Sequence, residues 1–354
     1  MKRILSGVQP SGKLHLGNYF GAIRQHIALQ DQGDAFYFIA DYHALTTLKD
    51  AEAKEADAAQ KAGKKTWKSA KEILAENVRD VALDYLALGL DPAKACFYRQ
   101  SDVPEVCELA WMLATVTGMG LLERAHSYKD KVAQGITPSV GLFSYPILMA
   151  ADILIVRSNV VPVGKDQVQH LEMTRDIAGY FNGAYGEVFP LPQEQLGEVP
   201  AVPGTDGRKM SKSYGNTIEI FAEGKALKNA VMGIVTDSTP LESPKNPDTC
   251  NAFAMYKLFA TPEELQDLAD HYREPMRNAE SRGGRPFGYG DAKTLLLKKI
   301  DAYFAEARQR RKDLAADPAR VESILQTGAA RARAEAVKTM ELVRKAVGML
   351  PRPV

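Results

Sequence analysis

The 354-residue chain is 45% hydrophobic and 25% charged, with a formal net charge of +1. That is ordinary globular composition, with room for a large core. It excludes a polycation and a small fold stapled by disulfides. Three cysteines, Cys96, Cys107 and Cys250, form no CxxC pair and no zinc spacing, so they read as reduced, buried thiols of a cytoplasmic protein. No apolar window approaches 18 residues, which argues for a soluble chain away from membranes.

In chain order, Arg3-Ile4-Leu5-Ser6 predicts a strand. A Gly/Pro/Ser turn follows, then a helix carrying Leu16, Tyr19, Phe20 and Ile23. Phe36–Ala40 predicts a second strand, ending at Asp41. Residues 51–70 are mostly Ala, Lys and Glu and predict an exposed insertion or helix extension. Leu74, Val78, Val81, Tyr85 and Leu88 predict a helix over 71–88, stopped by Gly89. Cys96–Arg99 and Val160–Gly164 predict two more strands, and the second leads into a helix with Val168, Leu171, Ala178 and Phe181. Strands alternating with helices specify an α/β fold, a Rossmann-like doubly wound parallel sheet. Ligands of such sheets sit at the carboxyl ends of the strands. After Ser213 the pattern turns to helices and loops, predicting a C-terminal helical domain. Thr261-Pro262-Glu263-Glu264 marks a capped helix start. Long helices follow at about 291–314 and 329–348. Val337, Met340, Val343 and Val347 form an apolar stripe on the last. The domains expected are 1–216 (α/β), 217–328 (helical) and 329–354 (a terminal helix docking back on the first). From Lys293 onward there are 14 Lys/Arg against 7 Asp/Glu, either a solvated helix face or a surface for a phosphate backbone.

Two segments carry chemistry. Gly7-Val8-Gln9-Pro10-Ser11-Gly12-Lys13 satisfies G-x-x-x-x-G-K after a strand. A phosphate loop of the NTPase kind needs a hydroxyl next, to hold magnesium, and here Leu14 stands there. Pro10 also removes a loop amide. Leu14-His15-Leu16-Gly17-Asn18 suits a different nucleotide site: glycine admits close approach of adenine and ribose, while His15 and Asn18 can donate to phosphate oxygens at a helix start. Taken alone, a helix cap with a surface histidine explains it equally well. Lys209-Met210-Ser211-Lys212-Ser213 adds two ammonium groups on a Gly-flanked loop, suited to stabilising charge on transferring phosphates when substrate is bound. A third feature is Met149-Ala150-Ala151-Asp152-Ile153-Leu154, an apolar helix holding one acid. A carboxylate there is costly unless paired, so it is either a helix cap, part of an internal ion pair, or an acceptor awaiting a ligand donor.

These segments resemble the class I aminoacyl-tRNA synthetases. The first stands at their HIGH-type signature and the second is their KMSKS signature unaltered. The resemblance is closest to the bacterial tryptophan branch, through Gly7–Gly12, Gly17–Ala22, Asp41–Thr46, Tyr145–Leu154, Val161–Gln167 and Val235–Ser238. It spans nearly the whole chain. It implies activation of L-tryptophan by ATP with Mg2+, transfer to tRNA(Trp), and a homodimer. It implies that Asp152 accepts the indole N–H, in a ring pocket lined by Leu5, Met149, Ile153, Val161 and Val163. Tyr145 and Gln167 would hold the amino group, with His43 near the carboxylate. Gln9, Pro10, Ser11, Gly17, Asn18, Gly164, Lys165, Asp166 and Val202 would contact ATP. Lys131, Lys209, Met210, Ser211, Lys212 and Ser213 would meet its phosphates, with His15, Asn18, Lys131, Lys209, Ser211 and Lys212 as the catalytic group. No protein metal ligands are implied. Leu5 stands where the family often has Phe, which thins one pocket wall. A tyrosine-specific ligase and a non-catalytic synthetase-like RNA-binding protein are the competing readings. Intact signatures argue against the latter, and phenylalanine would leave Asp152 unpaired.

Overall fold

The computed structural model describes residues 2–125, 139–164, 167–196 and 202–350. Five parallel strands form one sheet: β1 (Arg3–Val8), β2 (Asp34–Ile39), β3 (Ala95–Arg99), β4 (Val160–Val163) and β5 (Gln193–Leu196). The order is β3-β2-β1-β4-β5. β2 and β3 are almost continuously buried, as expected of a parallel sheet covered on both faces. The strand order reverses direction at β1 and β4, and this is where a doubly wound sheet opens a crevice at the carboxyl ends. The Rossmann-like α/β class expected from the sequence is the class observed.

The edge strand β5 has no counterpart in the sequence reading. Its four residues, Gln-Glu-Gln-Leu, are polar and largely exposed, so no hydrophobic signal marks it. The expected helix over 71–88 is Ala70–Ala87, with a Ser69–Glu72 capping box. The stretch 51–70 is the exposed helix Leu48–Lys61 and a following loop. Of the cysteines, Cys96 and Cys250 are buried, but Cys107 is exposed because it sits on the outer face of the helix Glu105–Ala114.

The last helix begins earlier than expected. Pro318–Ala346 is one helix running through residue 328, capped by Asp317. It lies across β3, and Gly328 explains how: a Cβ there would stand 1.9 Å from the carbonyl oxygen of Phe97, so only glycine admits the crossing. The face buried against the core is Ala329, Ala332, Ala336, Met340 and Val343. Val337 of the expected stripe is exposed. Its cations meet acids of the same chain: Arg331–Asp34, Arg333–Glu105 and Arg344–Glu108, while Arg3 and Arg99 reach Glu335 and Glu322. Three arginines of the basic excess therefore pin this helix, although Arg331 and Arg333 stay partly exposed.

Two compact units result. One comprises Met1–Lys13, Gln25–Gly197 and Asp313–Val354; the other comprises Leu14–Arg24 and Glu198–Lys312. These bounds differ from residues 216 and 328. Within the second unit, Leu16 N–H donates to Ile218 O (3.0 Å) and Ile220 N–H to Leu14 O (3.1 Å), so the turn after β1 groups with the segment that follows the lysine loop. Arg308, buried on the helix Tyr289–Ala316, donates to Ile220 O at 3.3 Å behind it.

Candidate active site

In the first unit, the helix Val140–Ile155 is capped by Ser139, whose hydroxyl accepts from Leu142 N–H. Its spacing sets Tyr145, Met149, Asp152 and Ile153 on one face, at i, i+4, i+7 and i+8. That face borders a cavity of about 370 Å³. The ends of β1 and β4 close it, with Leu5, Ser6 and Gly7 on one side and Val161, Pro162 and Val163 on the other. All nine residues expected for the amino-acid side of the site line it: Leu5, His43, Tyr145, Met149, Asp152, Ile153, Val161, Val163 and Gln167. Gln9, expected for ATP, lines it too and donates to Thr47 Oγ1 at 3.3 Å. The sequence reading missed Phe38 and His170. Gly7 is needed beside Phe38, because a Cβ would meet the ring at 2.4 Å.

Asp152 is 3% exposed, yet it is paired. His43 Nε2 lies 2.9 Å from its Oδ2, and Gln100 Nε2 lies 2.8 and 2.9 Å from Oδ1 and Oδ2. Burial pushes its carboxyl above the ordinary carboxylate range, against the pull of His43 and Gln100. The sequence reading placed His43 near the substrate carboxylate; within the protein its side chain is hydrogen-bonded to Asp152. Gln100 was not foreseen. It opens the 3-10 turn Gln100–Asp102 directly after β3, and a glutamine at a strand end gives no periodic or motif signal. Tyr145 Oη is hydrogen-bonded to His170 Nε2, and burial raises its hydroxyl pKa well above the usual range.

The second unit holds the other signature residues. His15 N–H donates to Asn18 Oδ1 (3.0 Å), and Gly17 N–H donates to Met210 Sδ (3.3 Å). Met210 is buried, while Lys209 and Lys212 on either side of it are exposed, as is Ser213. Met210 N–H in turn donates to the carbonyl of buried Val202 at 2.9 Å. His15 is not the surface residue that a bare helix cap would give. It is buried, and burial together with the charge of Lys212 lowers its pKa to about 4, so it is neutral at pH 7. The loop is held by Asn216, a residue the sequence reading passed over as flank. Its side chain accepts from Ser211 N–H (2.8 Å) and donates to Asp206 Oδ1 (2.7 Å) and Lys209 O (3.2 Å). Pro10, Ser11 and Gly164 belong to the first unit, with Pro10 buried and Ser11 and Gly164 exposed. Lys131, Lys165 and Asp166 lie outside the described residues. Among the described residues, no group of three or more His, Cys, Asp or Glu is placed to hold a metal ion, and no helix is long and apolar enough to cross a membrane.

The first unit's cavity, with its buried carboxylate, suits an amino acid whose ring bears an N–H, and the second unit's exposed lysines suit a polyphosphate. Comparison with known proteins agrees. Residues 1–305 match the family described as tRNA synthetases class I (W and Y). The chain is 49% identical over 348 residues to a tryptophan–tRNA ligase of Rhodopirellula baltica, covering 98% of this chain and 99% of that one. It is 51% identical over 352 residues to the tryptophan–tRNA ligase of Fusobacterium nucleatum, covering 99% of each. Among solved structures, tryptophanyl-tRNA synthetase from Campylobacter jejuni complexed with ADP and tryptophan is similar at 46% identity, with a TM-score of 0.85 over 98% of this chain and 100% of that one.

Proposed function

The chain belongs to the class I tRNA synthetases of the tryptophan and tyrosine group, and from that premise we propose how its residues divide the work. The enzyme is a tryptophan–tRNA ligase. It activates L-tryptophan with ATP to tryptophanyl-adenylate and pyrophosphate, then transfers tryptophan to the 3′ end of tRNA(Trp). The observation that carries its specificity is the buried Asp152 carboxylate set among the ring-lining residues Leu5, Met149, Ile153, Val161 and Val163 of the cavity.

In this reading Asp152 accepts the indole N–H. Leu5, Met149, Ile153, Val161 and Val163 enclose the ring, and Tyr145 and Gln167 hold the ammonium group. His43 braces Asp152 instead of meeting the substrate carboxylate. The carboxylate is already ionised and needs no general base, only positioning. One of its oxygens bonds to the α-phosphorus of ATP. The bond from that phosphorus to the bridging oxygen breaks, and pyrophosphate leaves with the electron pair. ATP enters as its magnesium complex: the loop's donors are ammonium and hydroxyl groups that fit phosphate oxygens, whereas a resident metal ion would need carboxylates. Gln9, Pro10, Ser11, Gly17, Asn18, Gly164, Lys165, Asp166 and Val202 contact the nucleotide. Lys131, Lys209, Ser211 and Lys212 stabilise charge as it develops on the leaving group, with Met210 and Ser213 shaping the loop. Neutral His15 contributes hydrogen bonding rather than charge. The helical region reads the anticodon. The enzyme works in the cytoplasm as a homodimer, a state supported by the exposed Trp111 (72%) and Val140 (84%).

Pyrophosphate exchange into ATP, measured with each of the twenty amino acids, tests the assignment. A response to tryptophan alone is expected. A strong response to tyrosine with none to tryptophan would overturn it.

A further inference from the structure

We propose that Gln100 is a positioning residue for ring recognition: it and His43 occupy all but one acceptor position of Asp152, so the site takes a ring presenting a single N–H. This deepens, and rests on, the tryptophan reading above.

The orientation of Gln100 is fixed from behind. Its Oε1 accepts Tyr42 N–H at 3.0 Å, and a backbone N–H can only donate. The amide therefore cannot be reversed, and its NH2 group must face Asp152. Its two hydrogens diverge widely, while the two oxygens of one carboxylate lie side by side. One N–H is therefore shared between them, at 2.8 and 2.9 Å. His43 Nε2 takes the outer position on Oδ2 at 2.9 Å. Among the described residues, the outer position on Oδ1 alone has no donor. Tyr42 is placed in turn by Asp41, which accepts its N–H at 3.1 Å and Ser101 N–H at 3.0 Å. Gln100 is itself 1% exposed, so it touches no substrate and acts only through Asp152.

Without that donor, Asp152 gains a second open acceptor position and loses part of what holds it ionised. Its carboxyl is then free to turn or to take up a proton. A ring lacking N–H no longer faces an unsatisfied charge, and selectivity falls even where binding of tryptophan survives.

The test uses the full-length enzyme and pyrophosphate exchange with two substrates: tryptophan and its benzothiophene analogue, in which sulfur replaces the ring N–H. Gln100→Met keeps length without the donor. Expected is a loss of about tenfold or more in the ratio of kcat/KM for tryptophan over the analogue, the range of one charge-assisted hydrogen bond. KM for ATP should stay within twofold. Should Gln100→Met fail to fold, Gln100→Leu removes the donor with a smaller apolar side chain and adds no charge beside Asp152; the same loss is expected. In an Asp152→Asn background, Gln100→Met should lower the ratio no further. A ratio unchanged within twofold in a folded variant overturns the proposal. So does an equal shift of KM for ATP, or a further loss of selectivity in the double variant. If the wild-type enzyme itself shows no tryptophan-dependent exchange, the functional reading fails instead, and the two failures are thereby told apart.

Discussion

Replacing Asp152 with asparagine should separate function from stability. Gln100 and His43 both donate to this side chain, at 2.8–2.9 Å. An asparagine must keep its oxygen where His43 donates, which turns its NH2 toward the position left for the indole N–H. A charge-assisted hydrogen bond is lost, worth about 1.5–3 kcal/mol, and the ring N–H is left unpaired in an apolar cavity, costing about 1–3 kcal/mol more. Together these give about 2.5–6 kcal/mol, or roughly two to four orders of magnitude in kcat/KM for tryptophan. The interaction is made in the ground state and the transition state alike, so most of the loss belongs in KM. Stability runs the other way. The folded-state pKa of this acid is raised by burial, so its charged form opposes folding increasingly as pH rises from the ordinary carboxylate value through the raised one. Asparagine carries no such penalty, and the thermal midpoint at pH 7.5 should equal or exceed that of the wild type. Exchange kinetics and a thermal melt on the same preparation decide it. A KM for tryptophan within threefold of wild type would refute the acceptor role, and a sharp fall in melting temperature would make Asp152 a structural acid.

Three further outcomes are expected. Lys212→Ala should slow adenylate formation by about two orders of magnitude or more while tryptophan affinity barely changes, and it should raise the His15 pKa from about 4, since Lys212 is one of the two causes of its depression; rapid-quench kinetics and NMR titration check both. His26 is buried against Ser6, Tyr37 and Tyr85, and burial lowers its pKa from 6.5 to about 4. Its contribution to stability is therefore complete above about pH 6.5 and falls by about 3 kcal/mol as pH drops to 4. His26→Gln should flatten denaturant-derived stability over that interval by one proton's worth, leaving the similar contribution of His15. Gly328→Ala should lower the thermal midpoint by several degrees, because its Cβ cannot stand 1.9 Å from Phe97 O without moving the helix off β3.

Four of the five strands were legible because each is a short apolar run closed by a turn residue, the signature of a strand buried on both faces. β5 was not, since its Gln-Glu-Gln-Leu reads as loop and is a strand only because β4 offers it a free edge, pairing Val160 with Gln193 and Val163 with Leu196. The terminal helix was misdivided for a related reason. A glycine at 328 breaks a helix in isolation, costing about 1 kcal/mol against alanine, but here close approach to a strand outweighs propensity. The basic excess left two readings open because a sequence shows how many arginines a helix carries and not which of them meet an acid from far along the chain, as Arg331 meets Asp34.

The same distinction governs the site. Residues whose placement follows from local sequence were legible: the cavity-lining face of the helix Val140–Ile155 comes from spacing alone, and the exposed lysines of the loop from its composition. The partners that set their chemistry were not. The sequence left three possibilities open for Asp152, and the structure makes it a buried acid already hydrogen-bonded to His43, 109 positions away. In the function proposed above, that pairing does not compete with ligand recognition; it enables it. An unpaired carboxylate in this cavity would take up a proton and become a donor as readily as an acceptor, with no preference between ring chemistries. Donors from His43 and Gln100 keep it an acceptor. Met210 and Asn216 do the equivalent for the loop, since burying one side chain and satisfying the backbone fixes which way Lys209 and Lys212 project. In both places the residue that carries the candidate chemistry is written in a motif, and the residue that holds it in position is written elsewhere, where only the fold connects them.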